Sequence, residues 1–80
     1  MDIEQKLKNV FSGTFDVPQD RITARTRQHE LPEWDSLGQL RLMMAIEQEF
    51  GISFLMNEIA ELDSFDAIIK NIRMKLGENV

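Results

Sequence analysis

The chain has 80 residues, of which 42% are hydrophobic, enough for one domain over residues 1–80 but too few for an enclosed catalytic cavity. Its net charge of −5 and its lack of Cys argue against nucleic acid as a partner and exclude disulfides and thiolate-bound metal. No apolar run approaches the roughly 20 residues that span a bilayer, and the N-terminus lacks a signal peptide's hydrophobic region, so we expect a cytoplasmic monomer without membrane insertion.

The first predicted element is an amphipathic helix that starts after Asp2, a residue type that favours helix N-termini. Its apolar residues recur at helical spacing, and they are Ile3, Leu7, Val10, Phe11 and Phe15.

A long loop is predicted between residues 16 and 35, where the helical periodicity fails. Pro18 and Pro32 interrupt the segment, and loops of about 20 residues are usually either functional or disordered. Spaced apolar residues argue against disorder, because such residues generally attach a loop to the core; they are Val17, Ile22 and Leu31.

Three further helices are predicted after the loop. The second helix runs from about Ser36 to Phe50 and is ended by Gly51. A short helix follows near 57–61, with a brief strand at 52–55 as an alternative for the connection. Asp63 or Ser64 then caps a last helix that reaches Leu76 and ends at Gly77. The predicted fold is all-α: a small four-helix bundle of three long helices and one short helix.

Helix two carries more apolar residues than one core-facing stripe requires. One stripe comprises Leu42, Met43, Ile46 and Phe50. A second set, Leu37, Leu40 and Met44, clusters on a neighbouring face. We interpret this second set as an exposed strip for a partner protein, with a polar rim formed by Arg41, Glu47 and Gln48. The alternative is a central helix that is buried on most of its circumference.

Ser36 could be a first-turn residue or a functional group. A nucleophilic serine needs a base, but the only His, His29, lies in the long loop and is interpreted as a solvated residue. A small hydrolase using these two residues is the weakest hypothesis. One His without Cys also gives no zinc spacing, so no metal site is expected. The start of a helix does favour a phosphate group on Ser36, with Asp35 as the cap.

The motif Asp35-Ser36-Leu37, followed by GQLRLMMAIEQEFGISF, closely resembles the acyl carrier protein family. The tripeptide alone is weak, but its position in a short acidic chain, opening a helix that ends Glu-Gln-Glu-Phe-Gly, is specific. The resemblance covers nearly the whole chain.

This resemblance implies that a phosphopantetheinyl transferase attaches 4′-phosphopantetheine from coenzyme A to Ser36. The thiol of that group would hold acyl or aminoacyl intermediates as thioesters for biosynthetic enzymes. Asp35 would support the modification by positioning magnesium or a basic residue of the transferase. Helix two would be the face that partners recognise, and fatty cargo would be sheltered by core residues, for which the candidates are Ile46, Ile59, Leu62 and Ile68.

The sequence departs from fatty-acid carriers around the motif, where those carriers usually show a glycine before Asp-Ser-Leu and acids along helix two. Here Pro32 and Trp34 precede the motif, and Arg41 stands among the acids. Gly38 is interpreted as making room beside the arm. Trp34 is either a partner-binding anchor or packs the loop against helix two. These departures favour a specialised carrier for a polyketide, peptide or modified-lipid pathway; the alternative is an unmodified interaction module that docks through helix two.

Overall fold

The computed structural model describes residues 2–77 and has a helical architecture. Within that range it contains four α-helices: α1 (Ile3–Phe15), α2 (Ser36–Phe50), α3 (Met56–Glu61) and α4 (Phe65–Lys75). This arrangement confirms the predicted bundle of three long helices and one short helix. Residues 52–55 are irregular, so the strand considered there is not formed. The long loop contains two single-turn 3₁₀ helices, at Gln19–Arg21 and Gln28–Glu30.

Side chains cap the starts of the three long helices. Asp2, Asp35 and Ser64 each accept a hydrogen bond from the backbone N–H three residues further on, at 3.1, 2.7 and 3.1 Å respectively. Each bond satisfies a donor that the helix itself leaves without a partner. Gly51 ends α2 in the left-handed region, with φ of 68°. The predicted bounds of α2 are confirmed, whereas α3 begins at Met56 and α4 ends at Lys75, each one residue before the predicted position. Ser64 rather than Asp63 caps α4.

The core is built around an aromatic cluster that joins three parts of the chain. Phe11 of α1 contacts the Trp34 ring edge-on, with centroids 5.0 Å apart, and lies 5.3 Å from the ring of Phe65 in α4. The loop residues that were predicted to attach to the core are all buried, namely Val17, Ile22 and Leu31. Burial of these side chains explains how a long irregular segment stays ordered.

Backbone hydrogen bonds fix the second half of the loop against the connection between α3 and α4. The N–H of Phe65 donates to the carbonyl of Thr26 at 2.9 Å, and the N–H of Gln28 donates to the carbonyl of Asp63 at 2.8 Å. These bonds hold the loop at the end of the bundle where both α2 and α4 begin. The residues just before Ser36 are thereby held at this end of the bundle.

Glu58 connects the short helix α3 to its surroundings. Its Oε1 accepts hydrogen bonds from the backbone N–H of Leu55 and from Lys75 Nζ, both at 2.8 Å, and its Oε2 accepts one from Asn71 Nδ2 at 3.1 Å. The Leu55 N–H, then Lys75 and Asn71, lower the pKa of Glu58 from 4.5 to about 2. The ionised carboxylate is thus the form that the folded protein favours.

We expect the acid stability of the protein to depend on Glu58. A carboxyl group whose pKa is lower in the folded state stabilises the fold above its unfolded pKa, here 4.5, and loses that contribution as the pH falls towards about 2. Glu58→Gln should therefore be less stable than wild type at neutral pH, and the difference should shrink through this interval. Urea unfolding of both proteins at a series of pH values measures this difference in the free energy of unfolding.

Glu61→Gln is the matched control for this experiment, because Glu61 is an exposed carboxylate on the same helix. The role given to Glu58 would be contradicted if the free energies of unfolding of Glu58→Gln and wild type differed by the same amount at neutral pH and at a pH of about 2.

Candidate functional site

Ser36 is exposed and is the first residue of α2. The preceding residue, Asp35, caps the helix through its Oδ1, and its backbone carbonyl accepts the Gln39 N–H at 2.8 Å. Among residues 2–77, no side chain or backbone group is hydrogen bonded to the Ser36 hydroxyl. The positive end of the helix dipole favours negative charge at this position. The hydroxyl is therefore accessible at a place where an attached phosphate is stabilised.

A shallow groove of about 350 Å³ runs from Ser36 between α2 and α3. Its walls combine two side-chain amides with short apolar surfaces. The lining residues are Gln28, Ser36, Gln39, Leu40, Ile59 and Ala60. The groove can hold a slender group of mixed polarity that is attached to the serine.

The structure confirms that α2 has two apolar faces, of which one is exposed. Leu37, Leu40 and Met44 are 67%, 48% and 62% exposed. We call these three residues the α2 strip. The core-facing residues Leu42, Met43 and Ile46 are buried, so the alternative of a helix buried on most of its circumference is wrong. Exposed apolar side chains grouped beside a functional residue are typical of a protein interaction site.

The predicted polar rim of the strip is partly engaged inside the molecule. Arg41 is exposed, and its Nη2 donates to the carbonyl of Thr14, in the last turn of α1, at 3.0 Å. Glu47 is half-buried, and its Oε2 accepts the backbone N–H of Phe54 at 2.8 Å. Glu47 therefore fixes the connection after α2, and its place in the partner-binding rim stays a prediction. Arg41 remains a surface cation at the edge of the strip.

Trp34 does not belong to the surface. Its side chain is 1% exposed, and its Nε1 donates a hydrogen bond to Oε1 of Gln39. The assignment of Trp34 as a partner-binding residue is therefore wrong. The alternative, that it packs the loop against α2, is confirmed, because a large aromatic ring gains most from complete burial when its N–H also finds an acceptor.

Gly38 is required by the close approach of the loop to α2. A Cβ atom at this position would lie 2.6 Å from the Glu33 carbonyl oxygen and 3.0 Å from the Phe15 ring. The space beside Gly38 is thus occupied by the protein itself, which corrects the interpretation that it makes room for an arm. Glu33 also pairs with Arg21 at 3.3 Å; its own backbone N–H and the guanidinium lower the pKa of the Glu33 carboxyl.

Gln39 is a site residue that the sequence analysis did not identify. It is 7% exposed, and its Nε2 donates to the carbonyls of Ile59 and Leu62, both at 2.8 Å. A signal was present in the sequence, because Gln39 precedes Leu42 and Ile46 by three and seven residues and so lies in the core-facing register of the helix. A buried amide needs partners for its donors and acceptor, and here all of them are supplied.

His29 is exposed and lines a groove together with Arg27, Trp34 and Asp63. It is not among the residues that line the groove beside Ser36. Across residues 2–77, no cluster of three or more His, Cys, Asp or Glu side chains has the geometry to hold a metal ion. In the same part of the chain, none of the helices has the length and hydropathy needed to cross a membrane.

Comparison with known proteins identifies the family of this chain. The family model for the phosphopantetheine attachment site matches residues 5–72. Among solved structures, the chain is similar to the holo acyl carrier protein from Geobacter metallireducens, determined by solution NMR, with 25% sequence identity and a TM-score of 0.84. The match covers 96% of this chain and 88% of that chain. The chain therefore belongs to the acyl carrier protein family of phosphopantetheine-attachment domains, whose prosthetic group is covalently bound 4′-phosphopantetheine.

Proposed function

We propose that Ser36 is the residue that carries 4′-phosphopantetheine, and that the protein presents acyl or aminoacyl thioesters to biosynthetic enzymes without being an enzyme itself. The observation that carries the proposal is the exposed hydroxyl of Ser36 at the start of α2, inside the region that matches the family model. The lack of Cys is compatible with a cytoplasmic carrier.

The other three serines of the chain fit this role less well. The hydroxyl of Ser12 donates to the carbonyl of Val17 at 2.6 Å, and the Ser64 hydroxyl is used as the cap of α4. Ser53 is exposed but lies in the irregular connection after α2, without a helix N-terminus to stabilise a phosphate. Ser36 combines accessibility with a favourable electrostatic position.

The attachment reaction requires few residues of this chain. Ser36 Oγ forms a bond to the phosphorus of the pantetheine phosphate, and the pyrophosphate bond of coenzyme A breaks with release of adenosine bisphosphate. We infer that the transferase takes up the hydroxyl proton, since no His, Asp or Glu side chain of residues 2–77 is hydrogen bonded to the Ser36 hydroxyl. Asp35 uses Oδ1 for the cap, which leaves Oδ2 for a cation that the transferase brings. Once attached, the group supplies a thiol that holds the cargo as a thioester.

Partner enzymes would contact the α2 strip, because it is an exposed apolar surface on the helix that begins at Ser36. Within residues 36–46 the only charged side chain is Arg41. An apolar face with one cation at its edge suits an apolar partner surface better than a basic one. We therefore infer a specialised carrier, in a polyketide, peptide or modified-lipid pathway, rather than a housekeeping fatty-acid carrier.

Incubation with coenzyme A and a broad-specificity phosphopantetheinyl transferase tests the assignment of Ser36. Intact mass measurement should show one phosphopantetheine on wild type and none on Ser36→Ala. Ser53→Ala, which removes the other exposed serine hydroxyl, is the matched control and should be loaded like wild type.

Equal loading of Ser36→Ala and wild type would refute Ser36 as the attachment residue. A wild-type protein that gains no mass would instead favour the unmodified interaction module. That module would bind the same partner equally well whether or not Ser36 is modified.

A further inference from the structure

The cleft between α2 and α3, next to Ser36, is closed by a buried hydrogen-bonded amide. Gln39 projects from α2, and its Nε2 reaches the carbonyls of Ile59 and Leu62 at the end of α3. Both N–H groups of the amide are thereby used, and its Oε1 is used by Trp34. An alkyl chain that entered here would have to displace Gln39 and leave these buried groups without partners.

Trp34 fills the space behind this amide. Its indole ring lies 5.0 Å from the Phe11 ring and 6.3 Å from the Phe15 ring, centroid to centroid. Trp34 and Phe11 are both among the largest completely buried side chains of the chain's described part. The packed aromatic cluster therefore fills the space between Gln39 and α1.

The residues that were predicted to shelter a fatty chain pack against other core residues. Of the four candidates, Ile46, Leu62 and Ile68 are buried, and Ile59 is half-buried at the wall of the groove beside Ser36. That groove has amide side chains on its walls, from Gln28 and Gln39. The surface next to Ser36 is therefore better suited to a short or polar group than to a long alkyl chain.

We propose that this carrier keeps its cargo outside the helical core, with Gln39 and Trp34 as the residues that exclude it. The groove beside Ser36, with its amide walls, suits a short acyl, hydroxyacyl or aminoacyl group as cargo. This inference rests on the proposed function, because it assumes that the cargo hangs from Ser36. It concerns only where the cargo lies, so it can fail while the attachment to Ser36 holds.

The test loads wild type from acetyl- and octanoyl-coenzyme A with the same transferase, and intact mass confirms each product. A sheltered octanoyl chain would bury several more methylene groups than acetyl and raise the melting temperature by about 10 °C or more. We expect the two melting temperatures to agree within about 1 °C. In methyl NMR spectra the signals of Ile46 and Ile68 should be the same in both forms.

A rise in melting temperature with chain length, or movement of the Ile46 and Ile68 methyl signals, would overturn the inference. Failure of loading would refute the attachment at Ser36, and with it the cargo inference; the mass measurement thus separates the two failures. The wild-type comparison requires no variant, so it decides the question even where a variant does not fold.

Gln39→Ala tests the residue assignment directly. Removal of the amide should open the cleft, so that octanoyl loading raises the melting temperature of this variant above that of its acetyl form. Gln48→Ala, which truncates an exposed glutamine of the same helix, is the matched control and should behave like wild type. A Gln39→Ala protein as insensitive to chain length as wild type would contradict the role of Gln39.

Discussion

Trp34→Ala is expected to lower the free energy of unfolding by about 3–5 kcal/mol, the range found when large aromatic residues are truncated in a core. The ring is 1% exposed and packs edge-on against Phe11, so its removal leaves a cavity between the loop and α1. The substitution also leaves Gln39 Oε1 without its donor. Since small domains are stable by only about 5–15 kcal/mol in total, this one change would remove a large part of the stability.

Urea unfolding followed by circular dichroism measures this effect, since Trp34 is the only Trp of the chain and its fluorescence is lost with it. Trp34→Phe separates the two contributions: most of the packing remains, and the unpaired Gln39 oxygen costs about 1–3 kcal/mol. Leu37→Ala, an exposed control, should change stability by no more than about 0.5 kcal/mol. A loss below about 1 kcal/mol for Trp34→Ala would show that the loop is not held by this ring.

The fold and the position of Ser36 were predictable because both depend on local sequence. A cap is a hydrogen bond between residues three apart, as in Asp35 with Gly38, and an apolar stripe repeats within two turns. The exposed strip followed from the same reasoning, because Leu37, Leu40 and Met44 exceed what one core-facing stripe can hold. These features require no knowledge of which segments meet in space.

The roles of the residues around the strip were not predictable, because their partners are distant in the sequence. Arg41 bonds to a carbonyl 27 residues earlier, and Gln39 bonds to one 23 residues later. A sequence shows that Trp34 is large and that Gly38 lacks a side chain. It does not show that the loop backbone lies against the first turn of α2, which is what buries Trp34 and leaves no space for a Cβ atom at Gly38.

This contrast changes where the specificity of the carrier should be sought. Trp34 and Gly38 act inside the protein, because the loop packs onto α2 at these two residues. We therefore propose that partners recognise the exposed α2 strip with Arg41 at its edge. The groove beside Ser36, with Gln39 on its wall, is the proposed place for selection of the cargo.

Met44→Ser is expected to lower kcat/KM for phosphopantetheinyl transfer to Ser36 by about tenfold, which corresponds to about 1.4 kcal/mol of lost contact energy. Met44 lies two helical turns from Ser36 and is 62% exposed. An enzyme that reaches the Ser36 hydroxyl would cover this side chain and remove it from water. Loss of an apolar side chain from the centre of a contact weakens the complex without altering the hydroxyl itself, so the final extent of loading should be unchanged.

Met74→Ser is the matched control, because Met74 is an exposed methionine, 75% accessible, near the far end of α4. The two substitutions make the same chemical change on a helix surface, so they should cost similar helix propensity, while only Met44 belongs to the α2 strip. Initial rates over a range of carrier concentrations, with urea unfolding to verify equal stability, make the comparison quantitative. Wild-type rates for both Met44→Ser and Met74→Ser would mean that the transferase does not contact the α2 strip. An equal decrease in both would point to a general effect of the substitution on the fold.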